Sequence, residues 1–293
     1  MCRADDPVVD ASSWVAMARR LAADGALPEA VAAYERAVRS FDRPGRDAGG
    51  STGPAVRVRL FGAFELRIDG VPVGSAGLRP QHHALLQALC VHAGRAVPDT
   101  RLGEWFWPDA EPGRVRHRVA VGVSALRSML TAAGGPSLIR DRDGYRLVLA
   151  HDGTDVRRFD QLAADARGGR REGRTERLEA AFAAYGGTLL PGAGEAAWVV
   201  EERDRVRARA SWVAAELADA FARAGRPRDV VRVTRTALRW DRCQDRLWRR
   251  LVAALTDLAE PAAAAAARRE YTAMLDDLGV VAWPAAGRRL HSA

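Results

Sequence analysis

Between Glu111 and Asp141 the chain carries no acidic residue, and this run constrains the fold more than any other. Val115, Val119, Val123, Leu126 and Leu130 recur at steps of three and four, the spacing of one apolar stripe on a helix. Arg114, Arg116, His117, Arg118, Val121, Ser124 and Arg127 fall beside or opposite that stripe, so the face turned from the core carries only positive charge. Pro112 suits a first helical turn, and Gly134-Gly135-Pro136 stops the helix. SLIRDRDGYRLVLA then alternates around Asp143-Gly144, a two-residue signal for a tight β-hairpin. A helix with a basic face followed by a hairpin carrying Arg140 and Arg142 suits double-stranded DNA. The helix can enter a major groove about 12 Å wide while the hairpin tip reaches the neighbouring backbone or minor groove. A basic run alone would read as a solvated face. The missing acids, the hairpin and the strands upstream together favour DNA.

A chain of 293 residues, 48% of them hydrophobic, points to more than one core and to two domains. All 45 basic residues are Arg, which excludes a P-loop Lys or a Schiff-base Lys. Arg also makes the bidentate contacts that phosphate and guanine accept. Residues 56–150 hold 13 Arg against 8 acids, residues 151–293 hold 25 against 21, and residues 1–55 hold 7 against 8. The middle segment is therefore basic for its length, and the C-terminal one mixes both signs. Cys2, Cys90 and Cys243 are scattered without CxxC spacing, so free thiols in a reducing cytoplasm are expected, with no metal site. No signal peptide or apolar run of spanning length is legible, so the expectation is a cytoplasmic protein without a membrane partner.

Residues 12–41 read as a helical hairpin. Trp14, Met17, Ala18 and Leu21 form one face, Gly25 sits in the turn, and Ala30, Tyr34 and Ala37 form the other, an order resembling a tetratricopeptide repeat. A lone repeat needs a neighbour, which either the C-terminal helices or a second protomer of a homo-oligomer would supply. Gly, Pro, Ser and Asp dominate 42–55, the text of a flexible linker. From 56 the period changes to two: VRVRLFG, AFELRIDG and VPVG give three short strands, with Asp69-Gly70 at a hairpin turn. A helix follows at about 81–93 with Leu85, Leu86 and Leu89 inward, then a second from TRLGEWFW, capped by Asp99 or Thr100.

LFGAFELRIDGVPV, LRPQHHALLQALCVHAGRAVPDTRLGEWFWPD, VGVSALRSML and DGYRL together resemble the OmpR-type winged helix of the SARP (antibiotic regulatory protein, AfsR-type) family. The resemblance makes 112–131 the recognition helix, places the wing at Gly144-Tyr145, and makes Leu102 and Trp107 core anchors near Val97. Downstream, DVRRFDQL, the break at GTLLPG, and the spacing Ala218, Phe221, Gly225, Val230, Thr234 and Ala237 are similar to that family's bacterial transcriptional activator domain. Another helix pair follows, with Pro261 at its turn and Tyr271 at the aromatic position. The fold class implied is α+β and mostly helical, an OmpR-like winged helix-turn-helix plus an all-α, TPR-like domain. Its layout is a TPR-like hairpin at 1–45, a linker at 46–55, a DNA-binding domain at 56–150 and the activator domain at 151–293.

The resemblance further implies an activator of a secondary-metabolite gene cluster. Such a regulator binds direct repeats in promoter DNA and recruits RNA polymerase holoenzyme through the loop at 108–113 and the helical domain. Arg140, Arg142 and helix arginines would hold phosphates, His83 would lie near one, and His117, Arg118, Val121 and Ser124 would meet base edges. The family commonly has Arg where Ala125 and Ser128 stand, and a basic residue near His82-His83, departures that weaken phosphate binding and flatten its salt dependence. They motivate the alternative of a TPR-type interaction module whose winged helix no longer binds DNA tightly. Adjacent His82 and His83 point about 100° apart on a helix and cannot ligate a metal as an i, i+4 pair. Glu201-Glu202 and Asp276-Asp277 sit among arginines as solvated faces, and no nucleophile-base arrangement or glycine-rich phosphate loop is present. No cofactor and no catalysis are expected.

Overall fold

The computed structural model describes residues 55–279 except 75, 76, 151 and 171. The helical hairpin expected at 12–41 and, apart from Ala55, the linker lie outside the described residues, as do Cys2 and residues 280–293. The structure is mostly helical, with nine α-helices and five short strands among the described residues. They form two compact units. The first holds 55–58 and 65–153, and the second holds 59–64 and 154–279.

In the first unit β1 (Val56–Arg59), β2 (Glu65–Ile68) and β3 (Val71–Pro72) form a sheet in that order. Alternation sends Val58, Leu66 and Ile68 into the core and leaves Arg57 and Arg67 outside. Ile68 pairs with Val71 across a two-residue loop in which Asp69 and Gly70 both take positive φ, 50° and 80°. That is the left-handed pair a tight hairpin requires, and Asp-Gly supplies it at low strain. Three helices follow: α1 (Pro80–Val91), α2 (Asp99–Phe106) and α3 (Pro112–Ala132). Leu85, Leu86 and Leu89 of α1 and Leu102 of α2 are each at most 1% exposed, as are Val119, Val123, Leu126 and Leu130 of α3. The apolar stripe expected on α3 is thus the face it buries, except that Val115 near its start is half-buried.

Two local expectations are corrected. Pro98, not Asp99 or Thr100, is the N-cap of α2, and Asp99 lies in the first turn with its carboxylate turned to Arg140. The hairpin of β4 (Leu138–Asp141) and β5 (Gly144–Leu147) turns at Arg142-Asp143, one residue earlier than the Asp-Gly signal suggests, because Asp141 pairs with Gly144. Gly144 serves another purpose. Tyr145 forms a two-way backbone bridge with Val97, and a Cβ on Gly144 would stand 2.1 Å from the Val97 carbonyl oxygen. The Asp141 side chain stabilises the turn by accepting the Asp143 N–H at 3.0 Å.

The second unit is a run of helices: α4 (Asp155–Gly168), α5 (Arg174–Ala184), α6 (Ala197–Arg223), α7 (Pro227–Leu238), α8 (Asp245–Asp257) and α9 (Pro261–Asp277). Sequential helices pack on each other from α4 to α5 and onward through α9. Ala218, Phe221, Val230, Thr234 and Ala237 are all at most 1% exposed, and Gly225 turns between α6 and α7 at φ 65°. The Arg226 N–H then bonds the Phe221 carbonyl at 2.9 Å, closing the helix end. Residues 59–64 join this unit through Leu60 and Phe61. The Asp155 carboxylate accepts both their backbone N–H groups at 2.9 to 3.1 Å, and the Phe61 ring lies edge-on to Phe159 and Tyr185.

Candidate nucleic-acid interface

On α3, burying Val119, Val123, Leu126 and Leu130 fixes what remains outside. Arg114, Arg116, His117, Arg118, Ser124, Arg127 and Ser128 are exposed, as is Val121 at 45%. At 100° per residue, Arg114, His117, Val121, Ser124 and Ser128 centre on the side opposite the core, with Arg118 on one flank and Arg116 exposed on the other side beside the core stripe. Twenty-one residues make α3 roughly 31 Å long at 1.5 Å each. Among the described residues no ion pair engages Arg114, Arg116 or Arg118, and the helix offers no acid of its own. The face therefore presents uncompensated guanidinium groups around a polar centre with one apolar side chain.

Arg142 stands exposed at the hairpin tip, likewise without an ion pair among the described residues. Arg127 and Arg140 are placed differently. Arg127 donates through Nε to the Leu138 carbonyl at 2.7 Å and lies 5.9 Å from the Tyr145 ring centre. Arg140 lies 5.1 Å from the same ring, donates to the Tyr145 hydroxyl at 3.0 Å and meets Asp99 at 2.7 Å. The coulombic and hydrogen-bonding influence of Tyr145 and Asp99 raises the Arg140 pKa. Two cations thus flank one aromatic ring and tie α3, the hairpin and the start of α2 together. Both keep exposed surface, but their first partners are internal, and sequence reading missed Asp99 and Tyr145 as those partners.

His83 is half-buried on α1 and is not free of partners. Its neighbour His82 is the one near α3: a Cβ on Gly122 would meet Leu85 Cδ2 at 2.9 Å and His82 Cδ2 at 3.4 Å. Gly122 therefore permits the close approach of α3 to α1. Trp107 is buried, while Trp105 stacks on His92 with ring centres 5.4 Å apart. Burial pushes the Cys90 thiol far above its ordinary value, and Cys243 is exposed. Among the described residues no group of three or more His, Cys, Asp or Glu is placed to hold a metal, and no helix is long and apolar enough to cross a membrane.

Residues 154–293 match the model of the bacterial transcriptional activator domain. No curated protein matches the chain. Among solved structures it is similar to Mycobacterium tuberculosis EmbR, described in complex with a low-affinity phosphopeptide, at 26% identity and a TM-score of 0.65 over 79% of this chain. The chain spans 62% of the length of that EmbR chain. By its domain at 154–293 and that likeness, the chain resembles the SARP-type regulators that carry a bacterial transcriptional activator domain.

Proposed function

We propose that the first unit is a winged-helix DNA-binding domain and that the chain is a sequence-specific transcriptional activator acting on promoter DNA in the cytoplasm. The observation that carries this reading is the exposed surface of α3, with Arg114, Arg116 and Arg118 exposed and unpaired among the described residues on a helix free of acids. Laid in a major groove, these arginines and Arg142 reach phosphates, which give affinity and register, while His117, Arg118, Val121 and Ser124 meet base edges. Val121 has the chemistry to contact a thymine methyl group. Arg127 and Arg140 act first by positioning the hairpin on α3. The helical domain and the loop at 108–113 recruit RNA polymerase at promoter direct repeats, and the regulated genes form a secondary-metabolite cluster.

The internal engagement of Arg127 and Arg140 favours a second reading, an interaction protein whose first unit holds DNA weakly. Selection of bound fragments from random duplex DNA by the full chain separates the two. Enrichment of one motif, repeated at a spacing near one helical turn, supports the activator. Failure to enrich any motif leaves the interaction protein.

A further inference from the structure

Outside the basic face of α3, the second unit carries a separate arginine array. Arg228, Arg232, Arg235 and Arg239 recur along α7 at steps of four, three and four, a single stripe opposite the buried Val230, Val233, Thr234 and Ala237. Among the described residues only Arg232 of these four meets a carboxylate, that of Asp229. Arg239 donates to the Arg235 carbonyl and the Thr236 hydroxyl, and no ion pair engages Arg228 or Arg235 among the described residues. Arg226 and Arg249, by contrast, are each answered by an acid about one turn away, Asp229 and Asp245. Much of this stripe is left unanswered.

Beside the stripe runs a groove of about 660 Å3, with α7 and α9 as walls and α8 as floor. Arg235 and Arg239 stand on its α7 wall, Glu270 and Asp277 on its α9 wall with Asp277 paired to Arg242, and Leu238 with the largely buried Trp248, Leu251 and Met274 gives it an apolar bed. A phosphate backbone has no use for such a bed. An amphipathic helix does, since its apolar face fills the groove while charges along its flank meet the rim. The volume lies within the usual range of ligand clefts, and Arg, Trp and Met are residues that protein interfaces favour. We propose that this groove docks an acidic amphipathic helix of a partner protein, its carboxylates on the α7 arginines and its apolar residues over Trp248, Leu251 and Met274. The site lies wholly in the second unit and does not depend on DNA binding by the first.

The test uses the full chain and a fluorescein-labelled synthetic peptide of four helical turns, with leucines on one face and glutamates along one flank. A control peptide carries lysine for every glutamate, and a labelled DNA duplex is titrated in parallel. The acidic peptide should bind and the lysine peptide should not. Arg235→Glu with Arg239→Glu, both exposed and so expected to leave circular dichroism unchanged, should weaken peptide binding roughly tenfold or more. Arg114→Glu should leave peptide binding intact. No binding of the acidic peptide, equal binding of the lysine peptide, or indifference to the α7 pair would overturn the proposal. So would loss of duplex affinity in place of peptide affinity in that variant, which would make the stripe a DNA contact. Peptide binding seen only in a chain ending at Gly279 would also overturn it, because residues 280–293 would then be the occupant.

Discussion

At the residue scale, two glycines near the candidate interface look alike in sequence and differ in what they permit. Gly144 has φ 138°, and a Cβ there would strike the backbone of Val97 and Pro98 within 2.7 Å. Backbone cannot swing aside, so Gly144→Ala should destabilise the first unit by about 3 kcal/mol, combining overpacking with a strained φ. Gly122 faces the end of a Leu85 side chain, and Ala there regains roughly 1 kcal/mol of helix propensity. Gly122→Ala should therefore cost only about 1 kcal/mol net, and urea unfolding of both variants gives the comparison. Carboxylates of the second unit set its acid response. Desolvation raises Glu216 and Asp219, but hydrogen bonds from Arg246, Arg174 and Arg250 outweigh it and hold both below their ordinary values of 4.5 and 3.8. Their stabilisation is present above those values and lost as pH falls through the lower folded ones. Asp155 has the opposite sign: burial raises it above 3.8 despite its backbone hydrogen bonds, so its contribution declines as pH rises through that interval. Stability of the second unit should fall below about pH 4, and Asp219→Asn should reduce that slope while costing about 1 to 2 kcal/mol at pH 7, discounted for half-exposed partners. Urea midpoints across the acid range check both. A midpoint that rises on acidification would contradict this sign.

At the scale of elements, α3 was legible because its stripe, first-turn Pro and closing glycines agree. The helix pair around Gly225 was legible for the same reason. The hairpin register was displaced by one because Asp143-Gly144 is a local signal, whereas the fate of Gly144 is decided by its contact with Val97. Arg127 and Arg140 read as phosphate ligands because nothing local foretells their shared ring or the carboxylate of Asp99, 41 residues from Arg140. The arginine stripe of α7 was in plain view as a spacing. It was submerged in a segment where acids nearly balance arginines overall. Assignment of 59–64 to the second unit was not legible, since LFG is apolar text that any core accepts. It carries a consequence. Phe61 is 5% exposed against Phe159 and Tyr185, so Phe61→Ala should cost the second unit about 3 to 4 kcal/mol. A fragment beginning at Thr154 lacks that ring and should unfold at lower urea than the same unit in the full chain. Tryptophan fluorescence follows both, and equal midpoints would remove 59–64 from the account.

At the scale of the whole molecule, charge is distributed by kind as well as by amount. Basic groups on α3 have no acids between them, those on α7 are answered only in part, and in the rest of the second unit Asp160, Glu216 and Asp219 engage five arginines, Arg174, Arg205, Arg209, Arg246 and Arg250. Uncompensated charge is where an anionic partner finds free energy. The two free arrays lie in different units, one beside a polar helix face and one beside an apolar groove, which suits a molecule that reads DNA with one unit and holds a protein with the other. The claim about DNA is tested most directly by the salt dependence of duplex binding, measured by fluorescence anisotropy for the unchanged chain and for Arg114→Glu with Arg118→Glu. For the unchanged chain log K should fall linearly with log salt, with a slope of about 0.9 per phosphate contacted, and the double variant should lose about two such contacts. Equal affinity and equal slope in the two proteins would contradict it.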